Sequence, residues 1–269
     1  ASPHGLMGNN LFLEHLHPNL QGYFIIGREI AHAMQREGAI ARVWENRSAL
    51  SDSLLWQRRG VTPLDLEVAT IRIQVLTSRW PFVPERSSAD FRYQPQNEIQ
   101  RLAYDLWRKH LSWEEAHVKA AEYYAKEGNL RLAAAEYDAL ILETPYNPSP
   151  YLRSGIVHIM LGEMETAEHR FKASLALNET AEAHENLGAV LLHQKKIVEA
   201  VAHLERALQM QPGNTQTLYN LTGGYMMLGQ ADKAEQTLHR LENLQPGSLE
   251  VAGLKSDLVN LRRLLEKRP

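Results

Sequence analysis

The chain has 269 residues, of which 44% are hydrophobic and 23% charged, and its net charge is −3. This balance is typical of a soluble globular protein and does not favour broad binding to nucleic acid or to anionic membranes. The absence of cysteine excludes disulfides and thiol catalysis, and no apolar run approaches the roughly 18 residues that span a bilayer. We therefore expect no nucleic-acid partner, no cofactor and no transmembrane segment. The expected location of the protein is the cytoplasm or a bacterial cell envelope.

Residues 1–45 are predicted to form a loop followed by one helix. Pro18 suits the first turn of that helix, because its missing N–H would have no partner there. The apolar side chains of the helix then follow at helical spacing: Tyr23, Ile26, Ile30 and Met34. Gly38 marks its end.

The loop ahead of this helix carries an acid three residues before a histidine, Glu14 and His17, followed by Pro-Asn and then Gly-Tyr. A histidine base and an acid that orients its ring are two of the parts that nucleophilic hydrolysis requires. Residues 9–37 resemble the C-terminal block of the SGNH (GDSL-type) hydrolases. The resemblance implies that His17 is the base and that Glu14, in place of the family's usual aspartate, is the orienting acid.

The nucleophile of such a hydrolase is missing, since the chain contains neither Gly-Asp-Ser nor Gly-x-Ser-x-Gly. We therefore interpret residues 1–45 as the C-terminal remnant of an SGNH-like domain. Separated from that domain, the segment 11–34 would expose apolar surface, which could dock on the middle region or on a second copy of the chain. The alternative is an ordinary helix start with no hydrolase ancestry.

Residues 46–96 are predicted to be a helical connector followed by a linker. Thr62-Pro63 is a cap and first-turn signal, and Asp65 favours a helix N-terminus. The apolar side chains at helical spacing are Leu66, Ala69, Ile73 and Leu76, and Pro81 is expected to stop the helix. The segment 83–96 is rich in proline and polar residues and reads as an irregular arm.

Residues 97–269 show a self-similarity with a period of about 34 residues. Small residues recur at Ala121, Gly155, Gly188 and Thr222. Alanines follow twelve residues later at Ala133, Ala167, Ala200 and Ala234, and large residues four further on at Tyr137, Phe171, Leu204 and Leu238. Each unit is expected to be a pair of helices with a tight turn at Gly128-Asn129, Gly162 or Gly229. The small residue should let the second helix approach closely, and the large residue should fill the joint with the next unit.

This pattern, over about residues 114–246, resembles the tetratricopeptide repeat (TPR) family. The resemblance implies an all-α fold, an α-α superhelix of four TPR units. His117 and His184 depart from the family pattern, because an aromatic residue is often found at their position. The segment 248–268 carries Leu254, Leu258, Leu261 and Leu265 on one face and is expected to be a C-terminal capping helix. Asn97–Trp113 is expected to be a further helix that joins the stack.

The TPR resemblance also implies that the first helix of each pair lines a concave groove for a protein or peptide partner. The residues predicted to line it are Lys119, Glu122, Arg153, Ile156, Asn186, Ala189, Asn220, Gly223 and Met227. Asn186 and Asn220 could belong to a clamp for a peptide carboxylate, but the accompanying lysines are not at the expected places. An extended or helical segment of a partner is therefore the expected ligand.

Histidines and tyrosines in the repeats are expected to have structural roles. His158, His184, His193, His203 and His239 appear scattered over different faces without zinc-ligand spacing, so no metal site is predicted. Tyr151, Tyr219 and Tyr225 are expected to pack between helices rather than to form a stacking platform.

Together these patterns predict a TPR interaction scaffold that is the C-terminal part of a larger SGNH-type fusion and has no hydrolase activity alone. Two alternatives stay open: a stand-alone TPR binding module, and an ester hydrolase that is active when an upstream domain is present.

Overall fold

The computed structural model describes residues 19–38, 60–78 and 92–266. Within these ranges the chain is all-helical, which confirms the predicted fold class. The helices are α1 (Leu20–Glu37), α2 (Pro63–Thr77), α3 (Glu98–Trp107), α4 (Trp113–Lys126), α5 (Leu130–Glu143), α6 (Pro148–Met160), α7 (Met164–Leu177), α8 (Ala181–His193), α9 (Ile197–Met210), α10 (Thr215–Met227), α11 (Ala231–Leu244) and α12 (Leu249–Glu266).

The chain divides into two compact units. One contains the described residues up to Val61 and those from Leu66 to Gln94. The other contains Thr62–Asp65 and the described residues from Pro95 onward, which include the repeats. The first turn of α2 therefore belongs to the same compact unit as the repeats.

Helix α1 begins at Leu20, directly after a capping asparagine. The Asn19 side chain accepts a hydrogen bond from the Gly22 N–H at 2.9 Å, which satisfies a helix N–H that would otherwise lack a partner. Pro18, expected in the first turn, lies outside the described residues. On the predicted apolar face Tyr23, Ile26 and Ile30 are exposed, by 54%, 44% and 54%.

Helix α2 forms where the sequence predicts it, but it buries a different face. Thr62 and Asp65 cap it reciprocally, since the Thr62 N–H donates to the Asp65 carboxylate at 2.9 Å and the Asp65 N–H to the Thr62 hydroxyl at 3.4 Å. The buried side chains are Leu64, Val68 and Ile71, whereas the predicted Leu66 and Leu76 are 43% and 49% exposed and Ala69 is also exposed. The apolar residues of this helix are spread around its axis rather than confined to one face, so its periodicity could not select the buried face.

The helix expected over Asn97–Trp113 is in fact interrupted. Helix α3 starts after the Asn97 cap and ends at Trp107, and Lys109 adopts a left-handed conformation with φ 62°. Ser112 then begins α4 with a capping box, in which Ser112 and Glu115 each accept from the other's backbone N–H. Trp113 is therefore the first residue of the repeat array and not the end of the preceding helix.

Helices α4–α11 form four antiparallel pairs, as the period predicts. The first helix of each pair has a side-chain cap, provided by Ser112, Asn147, Thr180 and Asn214. The second helices lack one and follow a residue with positive φ instead: Gly128 (76°), Gly162 (75°), Lys195 (63°) and Gly229 (72°). The third pair thus places a lysine where the others have glycine, in a conformation that is strained for a residue with a Cβ.

The predicted small residues do allow the two helices of a pair to approach closely. A Cβ at Gly155 would lie 2.5 Å from the Phe171 ring, and one at Gly188 would lie 2.6 Å from Leu204. The large residue therefore packs against the small residue of its own pair. Phe171 also shares a buried cluster with Leu187 of the next pair, so it contributes to the joint between units as predicted.

The capping helix α12 closes the array as expected. Val251, Leu254 and Leu258 are buried in the same cluster as Leu238 and Leu241 of α11. Leu261 packs against this cluster, and Leu265 is half-buried. Since a repeat at the end of an array has no neighbour on one side, this helix supplies the missing apolar contacts.

Candidate functional site

The predicted groove residues all lie on the first helices of the four pairs. Helix α4 carries Lys119 and Glu122, α6 carries Arg153 and Ile156, α8 carries Asn186 and Ala189, and α10 carries Asn220, Gly223 and Met227. None of the nine is buried. They are therefore accessible positions at equivalent places in consecutive repeats.

The charges on the first two of these helices both act on one side chain of the helix between them. Tyr137, on α5, is within electrostatic range of Glu122 of α4 and Arg153 of α6. Burial and the Glu122 charge raise the pKa of the Tyr137 hydroxyl, and the Arg153 charge opposes them. The two groove residues thus act on one hydroxyl.

Side-chain contacts join α6 to α8 and α8 to α10. The Arg153 guanidinium lies 3.8 Å from the Glu182 carboxylate in the first turn of α8. Glu185, also on α8, accepts hydrogen bonds from the Thr217 hydroxyl at 2.7 Å and from the Asn214 amide at 2.5 Å, at the start of α10. The first helices of the second, third and fourth pairs therefore present one continuous surface.

The chemistry of this surface changes along the array. The first two helices contribute charges, namely Lys119, Glu122 and Arg153. The last two contribute amides, small residues and the 64% exposed Met227. A Cβ at Gly223 would meet nothing within 4 Å, so the surface is open there.

Both asparagines on the surface use their side chains within their own helices. Asn186 donates its amide to the Glu182 carbonyl at 2.8 Å, and Asn220 accepts from the Gln216 amide at 3.2 Å. A carboxylate clamp would need cations beside them. The neighbouring groove residues Ala189, Gly223 and Met227 are uncharged.

A buried charged cluster lies beneath α4, and the sequence analysis missed it. His117 and Glu136 are both 0% exposed, and the His117 Nδ1 lies 2.6 Å from the Glu136 carboxylate. The His117 Nε2 lies 3.3 Å from Asp65, which also accepts from the Trp113 indole N–H at 3.4 Å. The Trp113 ring packs against the His117 ring at a tilt of 42°, with centroids 3.9 Å apart.

Hydrogen bonding keeps the His117 imidazole charged. Burial alone would lower its pKa, but the interactions with Asp65 and Glu136 outweigh burial and raise the pKa to about 9. Burial raises the pKa of Asp65, but the neighbouring His117 imidazolium and hydrogen bonds from Thr62 outweigh burial and lower the pKa. With no access to solvent, His117 and Glu136 stabilise the fold rather than act on a substrate.

The prediction that the repeat histidines are scattered is wrong for one pair. His184 of α8 and His203 of α9 face each other, with their Nδ1 atoms 2.9 Å apart. His117 and His184 are both buried and occupy the repeat position at which an aromatic residue is often found. Each contacts a side chain 19 residues later, Glu136 for His117 and His203 for His184. That spacing across a helix pair is the signal that could have found both. Among the described residues no three acidic or histidine side chains are arranged to hold a metal.

The three tyrosines differ in their surroundings. Tyr225 is buried, and its hydroxyl donates to Glu205 of α9 at 2.5 Å, as expected for interhelix packing. Tyr151 is half-buried and donates to the Pro145 carbonyl at 3.2 Å. Tyr219 is 37% exposed, so the packing role expected for it is wrong.

A cavity of about 580 Å³ opens between α9, α10 and α11, away from the predicted groove residues. Leu208 and Leu221 contribute apolar wall, and Lys233 lies over the Tyr225 ring at 5.2 Å from its centroid. None of the nine groove residues lines this cavity.

Glu14 and His17, the predicted hydrolytic pair, lie outside the described residues. Nothing in the described part of the chain bears on their geometry. Within the described ranges no helix is long and apolar enough to cross a bilayer.

Sequence models of the tetratricopeptide repeat match residues 152–215 and 191–258. The chain is 33% identical over 97 residues to the tetratricopeptide repeat-containing protein trd-1 of Caenorhabditis elegans, covering 35% of this chain and 13% of that protein. It is 26% identical over 159 residues to the peroxisomal targeting signal receptor of Candida albicans, covering 56% of this chain and 26% of the receptor. The chain thus spans about a quarter or less of the length of these relatives.

Solved structures share the fold at low sequence identity. YrrB, a TPR protein with an unusual peptide-binding site, matches with a TM-score of 0.50 and 15% identity, over 60% of this chain and 92% of YrrB. MamA from Desulfovibrio magneticus RS-1, residues 41 to the end, matches with a TM-score of 0.50 and 19% identity, over 57% of this chain and 97% of that one. The predicted superhelical fold is therefore confirmed, and the tetratricopeptide repeat models support the predicted repeats within residues 152–258.

Proposed function

We propose that the TPR array is a protein-interaction scaffold that binds a partner segment on the surface formed by α4, α6, α8 and α10. The observation that carries this proposal is the set of accessible residues at equivalent places on the four first helices, of which α6 is joined to α8 by the Arg153–Glu182 ion pair and α8 to α10 by the Thr217–Glu185 hydrogen bond. Such a set gives a partner accessible positions in all four repeats. YrrB, which shares the fold, has a peptide-binding site, and the Candida relative is a receptor for a targeting signal.

The partner segment should itself change in character along its length. Next to α4 and α6 it meets Lys119, Glu122 and Arg153, so charged side chains can be paired there. Next to α10 it meets the uncharged groups Asn220, Gly223 and Met227, where Gly223 leaves room for close approach. An extended segment with a charged end and an uncharged, partly apolar end fits this arrangement best.

Gly223→Arg is expected to weaken binding of peptides selected on the full chain from a random peptide display library. A fully open Cβ position lets the arginine enter the groove without disturbing the helix. We expect at least a tenfold rise in Kd, about 1.4 kcal/mol, measured by fluorescence anisotropy with labelled selected peptides.

Gly253→Arg on α12 is the matched control. It makes the same change at another helical glycine whose Cβ would meet nothing within 4 Å. Its Kd should stay within about twofold of the unmodified chain, well below the 1.4 kcal/mol of a tenfold change. Peptides that bind Gly223→Arg as tightly as the unmodified chain would place the binding surface elsewhere.

A second candidate concerns residues 9–37, which we propose to be the C-terminal block of an SGNH-type hydrolase domain fused to the scaffold. Two observations favour it: Asn19 of the Pro-Asn motif caps α1, and Tyr23, Ile26 and Ile30 present apolar surface that a parent domain would cover. In that parent domain His17 would be the base, and Glu14 would orient its ring. The same exposed face is also where self-association would occur.

The 269-residue chain is expected to show no hydrolysis of p-nitrophenyl acetate above background, because it contains no Gly-Asp-Ser block to supply the nucleophile. The measurement is release of p-nitrophenolate by the chain and by His17→Ala, with His32→Ala on exposed α1 as the matched control. Hydrolysis that disappears in His17→Ala and persists in His32→Ala would refute the expectation.

A further inference from the structure

The third repeat holds a pair of histidines that share one proton between them. The His184 Nδ1 and the His203 Nδ1 are 2.9 Å apart, with ring centroids 5.1 Å apart. An imidazole nitrogen donates when protonated and accepts when not, so a hydrogen bond at this distance requires a proton on one Nδ1 only. If both carried a proton, two N–H groups would point at each other.

The other nitrogen of His184 determines which forms of the pair are allowed. Its Nε2 lies 3.0 Å from Glu179, a carboxylate that also accepts two hydrogen bonds from Arg206, at 2.7 and 2.8 Å. Since a carboxylate only accepts, the His184 Nε2 carries a proton. A neutral His184 then accepts from the His203 Nδ1–H, whereas a charged His184 donates to the His203 Nδ1.

The pair can therefore take up one proton without losing a hydrogen bond, and a second proton has no place. The one added proton can reside on either ring, since a charged His184 donates to a neutral His203 and a charged His203 donates its Nδ1–H to a neutral His184. Burial, the His184 charge and Lys172 of α7 lower the pKa of His203, and Glu199, one turn earlier on α9, opposes them. The groups that face the pair are thus Glu179, Arg206, Lys172 and Glu199.

We propose that the His184–His203 pair is a proton-sensitive joint, in which uptake of the second proton separates α8 from α9 and disturbs the partner surface on α8. The pair joins the two helices of one repeat, and α8 carries the groove residues Asn186 and Ala189 on its accessible side. The link to partner binding rests on the proposed scaffold function. The loosening of the third repeat does not.

The direction of the pH effect follows from linkage. In the unfolded chain a histidine binds its proton near pH 6.5, whereas folded His203 binds it more weakly. Below that pH the unfolded state holds more protons than the folded state, so the free energy of unfolding falls as the pH falls. The stabilisation is present above about pH 6.5 and is lost on acidification.

The first test is thermal unfolding of the full chain by circular dichroism between about pH 7.5 and pH 5, the range in which histidines titrate. His203→Gln removes the second titration and keeps an amide that can donate to His184. The unmodified chain should lose more Tm on acidification than His203→Gln. His239→Gln, at an exposed histidine of α11, should behave like the unmodified chain, and equal losses for all three would overturn the proposal.

Ring-nitrogen NMR of the full chain gives a readout that does not depend on stability. His203 should titrate below the ordinary histidine value near pH 6.5, and the His184 Nδ1 signal should change together with it. A His184 Nδ1 signal that does not follow the protonation of His203 would overturn the shared proton. A Tm and Nδ1 signals that change on adding a chelator would show a bound metal instead and would overturn it equally.

The selected peptides test the link to the groove. On the same acidification the Kd of the unmodified chain should rise more than that of His203→Gln. If the Tm and NMR results hold while the Kd values change equally, the coupling to the groove is wrong and the proton-sensitive joint stands. Absence of any peptide binding would bear on the scaffold function alone.

Discussion

Replacing His117 by leucine is expected to destabilise the protein by about 3–5 kcal/mol, because it leaves a buried carboxylate without its cation. Glu136 is 0% exposed, and the His117 Nδ1 at 2.6 Å is the hydrogen-bond partner of its Oε2. Its Oε1 has no hydrogen-bond partner in the described part of the chain, so no other group could take over. The measurement is the free energy of unfolding from denaturant titration near pH 7.

The double variant His117→Leu/Glu136→Leu is the matched control. Replacing both members of a buried ion pair by apolar residues of similar volume is often neutral or stabilising. We therefore expect the second substitution to recover most of the loss. Asp65 is 28% exposed and retains its bonds with Thr62, so it tolerates the loss of His117. A single variant that costs less than about 1 kcal/mol, the range of exposed pairs, would contradict the assignment.

The His117 cluster also predicts an alkaline loss of stability. The pKa of folded His117 is about 9, against about 6.5 in the unfolded chain, so between these values the folded state holds more protons. Its stabilisation is complete below pH 6.5 and is lost as the pH rises through about 9. The double leucine variant should lack this part of the alkaline loss.

The second large effect is expected at the contact between Gly155 and Phe171. Phe171 is 0% exposed, and its ring packs where a Cβ of residue 155 would lie. Phe171→Ala should cost about 3–5 kcal/mol through lost burial and the cavity it leaves. Gly155→Ala should cost about 1–3 kcal/mol, because its Cβ would lie 2.5 Å from the ring. Denaturant titration measures both.

Gly223→Ala separates packing from helix propensity. Its Cβ would meet nothing within 4 Å, so replacement of a helical glycine by alanine should stabilise by about 0.5–1 kcal/mol. Opposite signs for the same substitution at Gly155 and Gly223 are the expected outcome. The double variant Gly155→Ala/Phe171→Ala should lose less unfolding free energy than the sum of the losses of the two single variants, since the smaller side chain at 171 makes room for the new methyl. Equal gains at Gly155 and Gly223 would contradict the close contact.

The repeat architecture could be predicted because it depends on local periodicity. A small residue followed sixteen residues later by a large one, as in Gly155 with Phe171 and Gly188 with Leu204, predicts two closely packed helices. The structure has both contacts. Where the signal was ambiguous the prediction failed. Helix α2 has apolar side chains on every side of its axis, so only tertiary contacts decide that Leu64 and Ile71 are buried and Leu66 is not.

The candidate site was predictable in part. The positions on the first helices followed from the repeat alignment, and all nine prove accessible. The charged cluster was missed because Asp65 lies 52 residues before His117 in a segment outside the repeat pattern. No sequence period links the two. His184 and His203 were missed because each is unremarkable until the two helices are paired.

The membership of Thr62–Asp65 in the compact unit of the repeats affects where the array can be excised. The loop before α3 looks like a natural point of excision, and a fragment starting at Glu98 would include every TPR unit. That fragment would nevertheless remove Asp65 and leave His117 with one carboxylate instead of two. Shortening the chain there is therefore equivalent to a substitution in the buried cluster, and a fragment that represents the native array has to begin before Thr62.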